Sequence, residues 1–147
     1  SLATIYRHFP GKDVVLVAGL GEWVRLVRKR IERLDLGVNP AERLAAALEH
    51  AAASTDAAPV LMGALIRALA TTDPAASGPK LVVESEVQAI VRHALGGHPS
   101  LDADAITRVI GHVWYSALVR WVGGMAPDGS VGRELAHAAR LLVGTGS

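Results

Sequence analysis

The sequence predicts an all-α protein, and three observations support that prediction. Half of the 147 residues are hydrophobic while only 4% are aromatic, a composition that favours Ala- and Leu-rich helices over strands. Apolar residues recur at steps of three and four along six segments, and no stretch has a convincing β-hairpin pattern. Pro, Asn and Gly stand between the segments, where helix starts and stops are expected.

The first three helices are predicted from apolar stripes and from their end signals. The first covers about 12–34, with a stripe at Leu16, Leu20, Trp23, Val27, Ile31 and Leu34. The second extends from the Asn39-Pro40 pair, a typical N-cap and first-turn proline, to about residue 54. The third begins near Pro59 and ends before Pro74, because proline disfavours helical geometry in the residue before it.

The last three helices follow the same logic. Pro79 opens the fourth, and the pair Gly96-Gly97 ends it. The fifth covers about 101–123 and the sixth about 129–143. Because the fifth helix is apolar on most sides, we expect it to be buried on most sides, against the chain's own core and against a partner subunit.

Composition excludes several classes of protein. Cysteine is absent, so the chain has neither disulfides nor a thiolate metal site, which is compatible with the cytoplasmic location that we expect. The longest stretch without Asp, Glu, Lys or Arg is the 11 residues 109–119. A membrane-spanning helix needs about 20 predominantly apolar residues, so no membrane partner is expected.

Charge is distributed unevenly along the chain. Residues 1–34 contain seven basic and three acidic residues, whereas residues 35–147 contain eight basic and eleven acidic ones. This asymmetry indicates either a polyanionic partner on the N-terminal side or a solvated basic helix face.

The N-terminal stretch TIYRHFPGKDVVL resembles the end of the helix-turn-helix in TetR-family transcriptional regulators. The resemblance implies that residues 1–11 end a truncated DNA-binding domain and that residues 12–147 form a helical ligand-binding and dimerisation domain. It also implies DNA contact by Thr4, Tyr6, Arg7, His8 and Lys12. The alternative is a short fragment that only packs against its neighbours. A helix-turn-helix domain of this family needs two helices before this stretch. Residues 1–147 alone are therefore not expected to bind an operator specifically, whereas the longer parent protein is.

Three further stretches resemble a subgroup of that family, the actinobacterial repressors of steroid (cholesterol) catabolism. They are ITRVIGHVWYSALVRWVGG, ELAHAARLLVG and ALIRALATTDPAAS. The resemblance implies a homodimer, formed by the last two helices of each copy, that binds palindromic operator DNA. The implied interface residues are Val109, Tyr115, Val119, Trp121, Val131, Leu135, Ala138 and Leu142. For Trp121, a place in the core is the alternative.

The same resemblance implies a small-molecule cavity among the middle helices. The candidate lining residues are Trp23, Val27, Met62, Leu65, Ile66, Leu69, Val87, Val91, Trp114 and Leu118. Their apolar character suits a hydrophobic effector, with steroid or acyl-CoA-like compounds as candidates. For each residue taken singly, ordinary core packing is the alternative. His112 and Tyr115 form a polar pair that faces the pocket in one interpretation. In the alternative, the pair hydrogen-bonds to the backbone or lies on a dimer surface.

Enzyme and cofactor signatures are missing from the sequence. The six histidines form no His-x-x-x-His pair, and no carboxylate cluster completes a metal site. Neither a Gly-x-Ser-x-Gly motif nor a phosphate-binding loop occurs. We therefore expect no enzyme activity, no cofactor and no metal. The sequence predicts a ligand-responsive repressor, with a helical ligand-binding or dimerisation module that does not bind DNA as the alternative.

Overall fold

The computed structural model describes residues 11–144, and in that range it contains α-helices, two short 3₁₀ turns and no strand. The 3₁₀ turns are Thr55–Ala57 and Pro74–Ala76. The helices are α1 Lys12–Ile31, α2 Pro40–Ala52, α3 Pro59–Leu69, α4 Ser77–Leu95, α5 Ala103–Val122 and α6 Ser130–Val143. The predicted all-α class is confirmed, and each of the six predicted segments corresponds to one helix.

Two predicted boundaries need correction. Helix α1 ends at Ile31 rather than near 34, because Arg33 and Leu34 donate to carbonyls only three residues back, in a tighter turn. Helix α4 begins at Ser77, two residues before Pro79. A proline fits there because the first backbone N–H groups of a helix have no partner within the helix.

Local interactions stabilise the helix ends, and at Asn39 and Gly96 the sequence indicated them. The Asn39 side chain accepts a bond of 3.1 Å from the backbone N–H of Glu42 at the start of α2. Asp102 does the same for α5, accepting from Ala105 N–H at 3.0 Å. Gly96 ends α4 with a φ of 64°, a left-handed conformation that favours glycine.

The core is one cluster to which every helix contributes, and its most extensive helix pairing is that of α2 with α6. Leu44 and Leu48 of α2 and Val131 and Leu135 of α6 are all buried to 1% exposure or less. Alanine fills most of the remaining inward positions, which lets the two helices approach closely. On the outside, the Arg140 guanidinium makes two hydrogen bonds to the Glu42 carboxylate, at 2.8 and 3.0 Å.

The other long contact joins α1 to α4. Gly21 is buried where the two helices meet, and a Cβ at this position would lie 3.1 Å from Val82 Cγ1. Further along, Arg28 pairs with Glu86, and both side chains are mostly buried. Helices α1, α3, α4 and α5 then surround the space described next. Among residues 11–144, no helix combines the length and the apolar character needed to cross a membrane.

Candidate functional site: an amphipathic cavity

A half-open cavity of about 790 Å³ lies between α1, α3, α4 and α5. Its deep wall comes mainly from α1 and α3, whose side chains there are apolar and largely buried. These residues are Leu20, Trp23, Val24, Met62, Leu65, Ile66 and Leu69. From the opposite side, Trp114 and Leu118 of α5 complete the apolar part. A space of this size and character suits a largely hydrophobic small molecule.

The rim of the cavity is polar and comes from α4 and α5. Its members are Glu84, Ser85, Gln88, Asp104, Thr107, Arg108, His112 and Tyr115. Most of them are exposed, whereas the residues of the deep wall are buried or half-buried. The cavity is therefore amphipathic: it has an apolar interior and a hydrogen-bonding, charged edge.

Asp104 connects the two helices of the rim. Its Oδ1 atom accepts hydrogen bonds from Gln88 Nε2 at 2.7 Å and from an Arg92 guanidinium nitrogen at 2.8 Å. The hydrogen bond and the charge of Arg92 hold the pKa of the Asp104 carboxyl below its ordinary value. Asp104 is therefore a charged acceptor across the neutral range.

Eight of the ten predicted pocket residues line the cavity, and two do not. Trp23, Met62, Leu65, Ile66, Leu69, Val87, Trp114 and Leu118 are in the lining. Val27 and Val91 are instead packed in the core, with 5% and 0% of their surfaces exposed. Each lies one helical turn beyond a residue of the lining on the same stripe. These two predictions were wrong because the apolar faces of α1 and α4 continue past the end of the cavity into the core.

Sequence reasoning missed most of the rim. It selected apolar residues at helical spacing, so Glu84, Gln88, Asp104 and Arg108 carried no signal. Their positions depend on the crossing of α4 and α5. The polar pair His112 and Tyr115 was noted, and both residues line the cavity. Leu20 and Val24 could have been found, because they lie on the apolar side of α1 beside Trp23.

The predicted interface residues fall into two groups. Trp121, Val131, Leu135 and Ala138 are buried within the chain itself, at 9% exposure or less. The Trp121 indole N–H donates to Asp128 Oδ1 at 2.8 Å, which holds the ring in the core. All four therefore lie in the core of this chain: Val131, Leu135 and Ala138 are on the inner side of α6, which α2 covers, and Trp121 is on α5 beside the loop that carries Asp128. Leu142 is partly buried against the same core.

The second group is exposed. Val109 and Val119 lie on the surface of α5 with 40% and 44% of their areas accessible. Tyr115 is equally exposed, but it faces the cavity rim. A shallow groove between α5, the connecting loop and α6 adds Met125, which is 71% exposed, and Leu141 of α6 is also 71% exposed. Neither of these two residues was predicted from the sequence.

The predicted DNA-contact residues are only partly described. Thr4, Tyr6, Arg7 and His8 lie outside the described residues. Lys12 is the first residue of α1 and is exposed. Within residues 11–144, no group of three His, Asp or Glu side chains is placed to hold a metal ion.

An all-helical fold around an amphipathic cavity is compatible with the regulatory domain expected from the sequence. Residues 37–142 match the family described as "Tetracyclin repressor-like, C-terminal domain". The match covers more than half of the chain, which therefore belongs to the TetR family of transcriptional regulators.

Among curated relatives, the chain is similar to the HTH-type transcriptional repressor KstR of two mycobacteria. It is 32% identical to that of Mycolicibacterium smegmatis over 147 residues, which cover 99% of this chain and 72% of the relative. It is also 32% identical to that of Mycobacterium tuberculosis over 146 residues, covering 98% of this chain and 66% of the relative. The resemblance to the actinobacterial repressor subgroup is confirmed.

A solved structure shows the same fold. The TetR transcriptional regulator from Rhodococcus sp. RHA1 matches with a TM-score of 0.80 at 20% identity. The match covers 100% of this chain and 80% of that protein.

Proposed function

We propose that residues 12–147 are the ligand-binding and dimerisation domain of a transcriptional repressor, following a helix-turn-helix that ends at about residue 11. The repressor binds palindromic operator DNA as a homodimer and is released by a hydrophobic effector. The observation that carries this proposal is the amphipathic cavity of about 790 Å³. Such a space suits a ligand with an apolar body and a polar end. The repressor relatives favour a regulator over an enzyme.

The position of α1 explains how a ligand can influence DNA binding. Leu20, Trp23 and Val24 of α1 form part of the cavity wall, and the same helix begins at Lys12. At 1.5 Å per residue, the wall lies roughly 12–18 Å along the helix from that end. An effector that prefers one position of α1 therefore shifts the balance between two arrangements of the DNA-binding heads. Contact with DNA by Thr4, Tyr6, Arg7, His8 and Lys12 rests on the motif resemblance.

The proposed dimer surface lies on the outer side of α5 and α6. We build it from the exposed residues Val109, Val119, Met125 and Leu141. The core residues of α6 are not included in this surface, because they are buried within the chain itself. Two-fold pairing of this surface accounts for recognition of a palindromic operator.

The test is a DNA titration with the protein carrying a complete helix-turn-helix. The DNA comes from upstream of its own gene, and binding is measured at stated salt with and without steroids and acyl-CoA thioesters. We expect saturable binding beyond that of a scrambled sequence, and release by one of the compounds. Binding that none of the compounds affects would retain the regulator and remove these ligand classes.

A glycine in the cavity allows a sharper version of the test. Gly111 lines the cavity, and a Cβ placed on it meets no atom within 4 Å. Gly111→Leu has room for its Cβ and should extend into ligand space, so that DNA binding persists and release by the effector weakens at least about tenfold. Gly78→Leu is the matched control, because Gly78 is equally unobstructed and lies outside the lining.

A ligand-binding module that does not bind DNA is the second candidate. It is favoured by one observation: the cavity and the apolar outer surface both lie within residues 11–144 and need no DNA to form. Absence of specific DNA binding, together with retained ligand binding, would select this candidate.

A further inference from the structure

Besides the apolar core, the edge between α4 and α5 is joined by one polar cluster centred on Asp104. Asp104 accepts from Gln88 and from Arg92 through one carboxylate oxygen, at 2.7 and 2.8 Å. We call these three residues the clasp. Among residues 11–144, no other side-chain hydrogen bond or ion pair joins α4 to α5.

The clasp marks one end of the cavity opening. Helices α4 and α5 are neighbours joined by seven residues, so they run antiparallel. One turn back along α4 from Gln88 lies Glu84, and one turn forward along α5 from Asp104 lies Arg108. These two oppositely charged side chains line the cavity at the same level without forming an ion pair in the described structure. Side chains therefore connect α4 and α5 at Asp104, but no ion pair connects them one turn further along, at Glu84 and Arg108.

We propose that this edge is the entrance of the cavity and that the clasp controls how readily it opens. The proposal rests on the function proposed above, in which the cavity binds a small molecule. Arg92 and Asp104 have 58% and 53% of their side-chain surfaces exposed, so water and salt screen their attraction. Breaking the clasp therefore costs little free energy, and a local opening at this level leaves the apolar core and the deep wall intact. Asp104 and Arg92 act as positioning residues that govern the rate of exchange.

The experiment measures exchange with a fluorescent probe, 1-anilinonaphthalene-8-sulfonate. Trp23 and Trp114 line the cavity, so energy transfer from tryptophan reports the bound probe in stopped-flow mixing. Two variants break the clasp: Asp104→Ala removes its acceptor, and Arg92→Ala removes a donor that is not part of the lining. In both, we expect the association and dissociation rates to rise by about two- to fivefold. The dissociation constant should change less than about twofold in Arg92→Ala, whose site lies outside the lining, whereas Asp104→Ala removes a lining residue and is read by its dissociation rate alone.

The control is Glu42→Ala, which breaks a similarly exposed Arg–carboxylate pair between α2 and α6, away from the cavity. Its exchange rates should equal those of the wild type. Gly111→Leu should weaken probe binding at least about tenfold, whereas Gly78→Leu should leave it unchanged, and this difference assigns the signal to the cavity.

The possible failures are distinct. Wild-type exchange rates in both clasp variants would overturn the proposed entrance while leaving the cavity as a binding site. The clasp variants could instead lose affinity in step with a lower melting temperature, without a rise in either exchange rate. That result would show that the clasp only stabilises the fold, and it would also overturn the proposed entrance. Absence of energy transfer in the wild type would count against ligand binding in the cavity. The proposed function and the proposed entrance would then both be contradicted.

Discussion

At the scale of single residues, two leucines illustrate how burial decides the effect of a substitution. Leu48 of α2 is completely buried, whereas Leu61 of α3 is 52% exposed. We expect Leu48→Ala to lower the free energy of unfolding by about 2–5 kcal/mol, because it removes apolar contacts and leaves a cavity. Leu61→Ala should change it by less than about 1 kcal/mol. Urea denaturation followed by circular dichroism measures both, and equal losses would contradict the described core.

Residue roles were the least predictable part of the chain from sequence alone. Trp121 and Val109 belong to the same apolar helix, yet the first is 6% exposed and the second 40%. Helical spacing assigns residues to faces, but it does not say which face meets the chain's own core and which meets a partner. In the structure, the Trp121 indole N–H donates to Asp128 in the following loop, which fixes the ring on the core side. Helical periodicity does not reveal this partner.

At the scale of elements, two glycines of α1 test the contact between α1 and α4. A Cβ on Gly19 would meet nothing within 4 Å, while one on Gly21 would lie 3.1 Å from Val82 Cγ1. Gly19→Ala should raise the free energy of unfolding by about 0.5–1 kcal/mol, because alanine is the better helix former. Gly21→Ala should lose part or all of that gain, since the Val82 side chain must move by a few tenths of an ångström to admit the new Cβ.

Thermal and urea denaturation measure the free energy of unfolding of both variants. The difference between the two values reports the packing of α1 against α4, because the gain in helix propensity is the same in both. An equal gain in both variants would show that α1 and α4 do not approach closely at Gly21.

Helix identity, in contrast, followed from local signals. Asn39-Pro40 and Gly96 mark ends that the structure retains, because capping and left-handed geometry depend on a few neighbouring residues. The exact start of α4 did not follow, since a proline is tolerated anywhere in a helix's first turn. The Arg43 side chain, which donates to the carbonyls of His93 and Ala94 at the end of α4, also gave no signal, because that contact spans 50 residues.

At the scale of the whole molecule, the proposed dimer has its own test. Val109→Asp places a charge on the exposed apolar face of α5 and should convert the dimer to a monomer at micromolar concentration, because a buried unpaired charge is costly. Light scattering gives the mass, and circular dichroism checks that the helices remain. Val60→Asp serves as the control, since Val60 is 86% exposed but lies on α3. A wild-type monomer, or an intact Val109→Asp dimer, would contradict this surface.

The sequence by itself determined the helical class, the approximate helix bounds and the family, because periodicity, caps and a linear motif are local properties. It also brought together most of the apolar wall of the cavity, since those residues lie on core-facing stripes. Only the tertiary structure decided where the cavity ends, which side of α5 and α6 is exposed, and that Asp104 bridges Gln88 and Arg92. These features depend on how helices distant in sequence cross one another, and crossing is set by the packing of the entire core.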